Sequence, residues 1–560
     1  MCGQRPDGLL VEGVRPDGID IADLEPLIPN DGLIMTAWDE FQKRHLDGYT
    51  TEEMKEFAET VFAFPVREHH TAEEVPEGET IDEHCMRILK GSVRHATKDT
   101  ASQIALDEDV LEPGGRFGVK KPGRGRLFNW DMLPTLRGAV AATREWGIAM
   151  TRSTLKNFGQ MAVRLAGCVP NVNAKWGDRR SHPPVVARIA RLLERHEGEG
   201  ALDEFSPLLE MHYMYFREGA NDTDKLGLEP GKTHRHLVRA KNGGIIYRHH
   251  DDGTGPRDEM WLEDMQTLDR LRKALGREPT EKERDLLFSS IRAGSESGED
   301  YRLADTEDGK NFYRMRLSEL APIKLNALMY EYACTLAYKN YRAAERAEAA
   351  GDHETAAIAR AKAIFFEKDA ENLAECIHEY FLTKDGFCGD YDFKNDKKPE
   401  RGVALAGVFA LSAGVFSHKR GQEMLDFVDK TFLRPGGLVN TLYKDSDQQW
   451  DNNVWPIMQL DAIDAAILYG RWDLAHKWCE LFVNNSELMF ALHGVLYEKG
   501  DPDNPGQPGN QGEYECVPDL LMTICTYMAL KRMLPWLKEM AADMPLQTQT
   551  ALGQLATNAI

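Results

Sequence analysis

The feature that most constrains this chain is helical periodicity that recurs along nearly its whole length without settling into a repeat of fixed size. In Pro183-Pro-Val-Val-Ala-Arg-Ile-Ala-Arg-Leu-Leu, residues Val185, Val186, Ile189, Leu192 and Leu193 fall on one helical face behind prolines suited to a helix start. A long helix pair is expected over 322–341 and 354–381, joined by the polar turn Ala349-Ala-Gly-Asp-His. Spacing predicts further helices over 133–147, 154–166, 204–217, 260–275, 280–293, 402–415, 419–431, 453–469, 473–485 and 515–540. Strand-like alternation is limited to short pieces such as Gly244-Ile-Ile-Tyr. About a dozen amphipathic helices with medium loops and no fixed repeat fit an all-α, closed helical toroid better than a solenoid. Residues 1–30, with Pro6-Asp-Gly and Pro16-Asp-Gly and no core pattern, are expected to form a mobile extension, 31–545 a single domain and 546–560 a tail.

The chain carries 68 Lys and Arg against 91 Asp and Glu, a net charge of −23 that repels phosphate backbones and anionic lipid. Neither a nucleic-acid partner nor a membrane is expected, since no stretch reaches membrane-spanning length. Nine cysteines lie scattered without CxxC spacing, and the start lacks a basic segment followed by an apolar run. Both point to a cytoplasmic protein with reduced thiols. The paired histidines Glu68-His69-His70, His234-Arg-His236 and His249-His250 lack a third placed ligand and do not predict a metal.

Chemistry is expected in the loops, which concentrate carboxylates, arginines, amides and aromatics. Carboxylates and Arg bind sugar hydroxyls through paired hydrogen bonds, and Trp and Phe cover the apolar faces of the rings. Glycosidic cleavage needs two further carboxyl groups, one protonated and one ionised, which composition alone does not pick out.

Several of these loops carry a family resemblance. Pro113-Gly-Gly-Arg-Phe with Trp130-Asp131 resembles the first signature of the trehalases, and Gln448-Gln-Trp-Asp-Asn-Asn-Val-Trp-Pro resembles the second. Further matches follow in the same order: Pro170-Asn171, Arg180-Ser-His-Pro-Pro, Pro256-Arg-Asp-Glu-Met-Trp, Arg292-Ala-Gly-Ser-Glu-Ser-Gly-Glu-Asp300, Leu325-Asn-Ala-Leu, Arg434-Pro-Gly-Gly-Leu, Tyr497-Glu498-Lys and Gly512-Glu-Tyr. The resemblance implies a six-fold (α/α) toroid and hydrolysis of α,α-trehalose to two glucoses with inversion, without metal or organic cofactor. It further implies a disaccharide as the only partner of a monomeric enzyme. It places the general acid at Asp300 and the general base at Glu498. Sugar-binding positions fall by motif on Arg116, Trp130, Asp131, Asn171, Arg180, Ser181, His182, Arg257, Glu259, Gly298 and Glu513. Inversion in turn predicts carboxyl groups roughly 6.5–9.5 Å apart.

The chain departs from the family pattern in three places. A longer, basic segment containing Lys120, Lys121, Arg124 and Arg126 separates Phe117 from Trp130, the residue before Asp300 is Glu299 where the family has Trp, and the segment after Gly512-Glu-Tyr is rewritten. Glu299 either raises the pKa of Asp300 or points to solvent. The basic segment suits an anionic sugar such as trehalose 6-phosphate. Alternative functions are therefore an inverting glucosidase of the same fold acting on another glucoside, and a sugar-binding protein without turnover.

Overall fold

A computed structural model describes residues 76–98, 103–113, 126–198, 200–223, 225–510 and 516–543, with the backbone of two short paired strands at 2–4 and 10–12. Of the expected 1–30 extension only those two strands are described, and the expected 546–560 tail lies outside the described residues.

The helices are α1 (Ile81–Gly91), α2 (Met132–Ala142), α3 (Arg144–Arg164), α4 (Val186–Glu197), α5 (Gly200–Glu204), α6 (Ser206–Phe216), α7 (Trp261–Leu275) and α8 (Glu281–Ser297). They continue with α9 (Ile323–Ala349), α10 (His353–Cys376), α11 (Val408–Ser412), α12 (His418–Phe432), α13 (Pro456–Leu468), α14 (Trp472–His493) and α15 (Leu521–Asp543). Packing runs in a closed circle: α2 lies against α4, α4 against α9, α9 against α11, α11 against α13, α13 against α15, and α15 back against α2. Outside this ring α1 packs on α15, α3 on α2 and α4, α6 on α3 and α9, α10 on α9, α12 on α13, and α14 on α13 and α15. Apart from α5, α7 and α8, outer and inner helices alternate along the chain, which is the six-fold (α/α) toroid.

Inner helices have two covered faces, and their sequences show it. In α13 eleven residues from Pro456 to Ile467 are buried, Asp461 and Gln459 among them. Buried charge on inner helices is paired across the ring. Arg188 of α4 donates to Glu331 of α9 at 2.7 Å, to Asp461 of α13 at 2.5 Å and to Ser412, the last residue of α11, at 2.9 Å, while Arg137 of α2 grips Asp464 of α13. Three inner helices, α9, α11 and α13, are thus tied to α4 or α2 through guanidinium groups.

Two sequence expectations shift. The expected helices at 133–147 and 154–166 are instead α2 and α3, broken at Thr143, whose backbone is extended. Gly147 explains the early break: a Cβ there would come within 2.4 Å of the Val140 backbone nitrogen, so only glycine lets α3 fold back so closely. The expected helix at 402–415 shrinks to α11 after a 3-10 turn at Leu405–Gly407, because the strand-like bridge between Ala404 and Thr441 takes up its start. The Gly244-Ile-Ile-Tyr piece is a strand, Ile245–Tyr247, in a three-stranded antiparallel sheet with Leu237–Arg239 and Thr233–His234.

Helices α7 and α8 leave the ring between α6 and α9 and form their own apolar cluster around Leu268, Leu287, Phe288, Ile291, Tyr301 and Leu317. A capping box at Thr280 starts α8, its hydroxyl accepting from the Glu283 N–H while the Glu283 carboxylate accepts from the Thr280 N–H. This side lobe ends at the segment carrying Asp300.

Candidate active site

Four of the six inner helices receive the candidate residues at or just before their N-terminal ends. Trp130 and Asp131 lead into α2, Arg180 to His182 into α4, Lys324 sits in the first turn of α9 and Gln449 to Trp455 lead into α13, while Glu498 is brought to the start of α15 by its carbonyl, which accepts from the Thr523 hydroxyl at 3.0 Å. Connections from outer to inner helices therefore build one face of the toroid.

On the side of Asp300, α8 ends at Gly298 in the left-handed conformation, φ 69°. A Cβ on Gly298 would lie 2.5 Å from the Trp130 indole, so glycine is needed both for the turn and for the contact. Asp300 follows directly and remains in contact with solvent, although protein crowds it on its other sides. That crowding pushes its carboxyl up to about 6, against the pull of Arg257 and Arg180 and with the help of Glu259. Asp131 stands at the N-cap of α2 but makes no capping hydrogen bond, which leaves its carboxyl turned to the site. Burial and repulsion from Asp300 push Asp131 up to about 8. Both carboxyls thus stand above the usual carboxylate range, burial being the largest cause for each.

Arg180 and Arg257 are buried and pre-aimed by carboxylates. Arg180 donates to Asp251 at 3.2 Å and to Glu259 at 2.5 Å, and Asp251 is shared with Arg292 at 3.1 Å. Arg257 is clamped by Asp264 through Nε at 3.2 Å and Nη2 at 2.7 Å, reaches Ser295 at 3.1 Å, and stacks 5.2 Å over Tyr301. The Nε of Arg180 and the Oε2 of Glu259 are buried without a protein partner, a donor and an acceptor suited to sugar hydroxyls.

Beneath this loop Glu296 accepts from His236 at 2.8 Å and His249 at 3.1 Å and from the backbone N–H groups of His250 and Ser181 at 2.6 and 3.3 Å. Those partners hold its carboxyl well below the usual range despite burial. Of the histidines noted in the sequence, His236 and His249 are partners of Glu296 and His250 of Asp252, while His69 and His70 lie outside the described residues. Among the described residues no group of three His, Cys, Asp or Glu side chains is arranged to hold a metal ion.

The other candidates divide. His182 is buried, accepts the Trp130 N–H at 3.3 Å and is kept neutral by burial and by Arg180. The Asn171 amide donates to the Ser295 carbonyl at 3.1 Å and so ties the loop to α8. Ser181 turns inward, its hydroxyl donating to the Val169 carbonyl at 2.7 Å. Arg116 and Glu513 lie outside the described residues, as do Lys120, Lys121 and Arg124, while Arg126 sits 5.9 Å over the Trp176 ring.

Glu299 meets neither sequence expectation. It is 1% exposed, and its carboxylate is bonded to Lys324 and lies 3.2 Å from Arg302, so it faces cations rather than Asp300 or solvent.

Across the site Glu498 is buried and accepts from the Lys499 ammonium at 2.5 Å. Lys499 also donates to Gln449, whose backbone carbonyl accepts from the Trp455 indole at 2.9 Å. The neighbouring residues join the two sides: the Trp450 N–H donates to the Tyr301 carbonyl at 3.2 Å, and Asp451 accepts from the Leu303 N–H at 2.7 Å. Aromatic contact continues the strut, with Trp130 and Trp450 centroids 5.7 Å apart and Trp450 and Trp455 stacked at 4.0 Å. Lys499, Gln449 and Arg292 stand inside the sequence motifs without a role assigned to them, and Lys324, Asp251 and Asp264 lie outside those motifs. The available signal was charge: each buried carboxylate in a motif calls for a cation.

With this geometry in view, a family profile described as Trehalase matches residues 28–517. This chain belongs to the trehalase family. Periplasmic trehalases of Salmonella newport and Salmonella typhimurium are each 30% identical over 503 residues, covering 89% of this chain and 80% of theirs. Neutral trehalase of Saccharomyces cerevisiae shares the fold at a TM-score of 0.57 and 19% identity, covering 84% of this chain and 83% of that one. The expected cytoplasmic location is overturned, because these Salmonella family members are named as periplasmic. Scattered cysteines were a poor guide: eight of them are described, and seven of these are buried, where a thiol acts as a small apolar side chain in any compartment. No described helix is long and apolar enough to cross a membrane.

Proposed function

We propose that this chain is a glycoside hydrolase that cleaves α,α-trehalose to two glucose molecules with inversion, Asp300 serving as general acid and Glu498 as general base. Membership of the trehalase family supports the substrate. The unlike surroundings of the two carboxyl groups carry the assignment of roles.

Asp300 is crowded, exposed to solvent and bonded to no cation among the described residues, and its carboxyl is pushed up to about 6, so it keeps its proton to higher pH than an ordinary aspartate. It can hand that proton to the glycosidic oxygen as the bond to the leaving glucose breaks. Glu498 is bonded to an ammonium group, a partner suited to the ionised carboxylate. It can take a proton from a water molecule that attacks the anomeric carbon from the opposite face. Arg180, Arg257, Glu259 and Asp131 bind the sugar hydroxyls, and Trp130 covers a ring face.

Glucose release from trehalose, against a panel of other α-glucosides, tests the substrate. Proton NMR in the first minutes tests the stereochemistry: inversion yields one α- and one β-glucose per trehalose, and two α-glucoses would exclude it. Asp300→Asn and Glu498→Gln should each nearly abolish release, and full activity in either would overturn that role.

A further inference from the structure

Lys324 is buried at 2% exposure in the first turn of α9, and three contacts fix its ammonium. It donates to the Ser297 carbonyl at 2.7 Å, the last residue of α8, where cations are favoured. It is bonded to Glu299. It also lies 4.3 Å over the Trp130 ring, whose indole packs on Gly298. Ser297, Gly298 and Glu299 are the residues immediately before Asp300, so one side chain holds the turn that aims the acid and the indole beside it.

The charges around this turn are arranged with the same economy. Facing Asp300 are Arg257, Arg180, Glu259, Lys324 and Asp131. Facing Lys324 are Glu299, Arg302 and Asp305, with His182 nearby. Glu299 lies between Lys324 and Arg302, and Arg302 is in turn bonded to Asp305 at 2.7 Å and to Asp390 at 3.0 Å. A lysine at this spot without Glu299 would present Asp300 with an uncompensated cation and stabilise its anion.

We propose that Lys324 and Glu299 act together as a positioning pair for Asp300, Lys324 bracing the Ser297–Glu299 turn and Trp130 while Glu299 cancels the charge that this brace brings next to the acid. Glu299, the residue that departs from the family pattern, is then the counterpart of a buried lysine rather than a neutral change. The inference rests on the acid role of Asp300.

The test is the pH dependence of kcat/KM with trehalose, whose alkaline limb reports loss of the acid's proton. Lys324→Met should move that limb upward by about half a pH unit and lower kcat several-fold, because a nearby cation is removed and Glu299 remains. Glu299→Gln should move it downward, and Glu299→Gln with Lys324→Met should bring it back most of the way to the native position. Limbs that stay in place in both single variants while the melting temperature falls would overturn the proposal in favour of a merely stabilising ion pair. If neither single variant folds and the double variant does, the pair is likewise only structural. A native protein that releases no glucose, or an Asp300→Asn variant that keeps full activity, would instead count against the catalytic reading itself.

Discussion

Each side of this site contains a buried lysine, and the two are used in opposite ways. Lys499 is bonded to Glu498, the carboxylate proposed to take up a proton, whereas Lys324 is bonded to Glu299, a neighbour of the carboxylate proposed to give one up. A carboxylate bonded to an ammonium is stabilised as the anion, and one that is crowded but left without such a bond keeps its proton to higher pH. Two groups of the same chemistry thus acquire different tasks from where the nearest cation is committed. Arg180 and Arg257, by contrast, are bonded to Asp251, Glu259 and Asp264 and still pull on Asp300 without bonding to it.

The largest expected effect separates the two sides directly. Asp300→Asn and Glu498→Gln should each lower trehalose turnover by roughly 10² to 10⁴. With α-glucosyl fluoride, whose leaving group departs without a proton, Asp300→Asn should regain much of its rate and Glu498→Gln should not. Equal recovery in both variants would break the comparison.

Next in size is the base-side lysine. Lys499→Met leaves the Glu498 charge buried without its ammonium and should cost about 3 kcal/mol of stability, read from urea unfolding, together with most of the activity. A variant as stable and active as the native protein would show that Lys499 does not hold the base.

Loosening an arginine should have a smaller effect that falls on binding. Asp264→Asn removes the clamp on Arg257 and should raise KM for trehalose by about tenfold, the worth of one charge-assisted hydrogen bond, while kcat changes less.

The smallest effect is the finest probe of how Asp131 acts on Asp300. A general acid works only while protonated, so activity is lost as pH rises through its value in the folded protein. The alkaline limb of kcat/KM should lie between about 6 and about 8, the levels to which Asp300 and Asp131 are pushed. Asp131→Asn removes the repulsion and should move that limb toward the lower end. A limb that does not respond would mean that the charge of Asp131 does not act on Asp300.

Much of this was legible in the residues. The helical periodicity pointed to a closed toroid, and α4, α9, α10 and α13 lie close to where spacing put them. The break at Thr143 was not legible, since residues on both sides of it suit a helix and the turn is set by the fit of Gly147 against Val140. Ser181 shows the same limit at the site: its motif marks the loop, but the inward turn of its hydroxyl toward Val169 is a matter of packing. The location inferred from cysteines failed because buried thiols report packing and not compartment.

By itself, then, the sequence determined the helix periodicity, the order of the motifs and the family, because periodicity and spacing are properties of neighbouring residues. Only the tertiary structure decided what each buried charge does. Glu299 and Lys324 lie on different elements, as do Arg257 and Ser295 or Lys499 and Gln449, and the protonation of Asp300 depends on a balance of burial and distant charges that exists once the ring has closed.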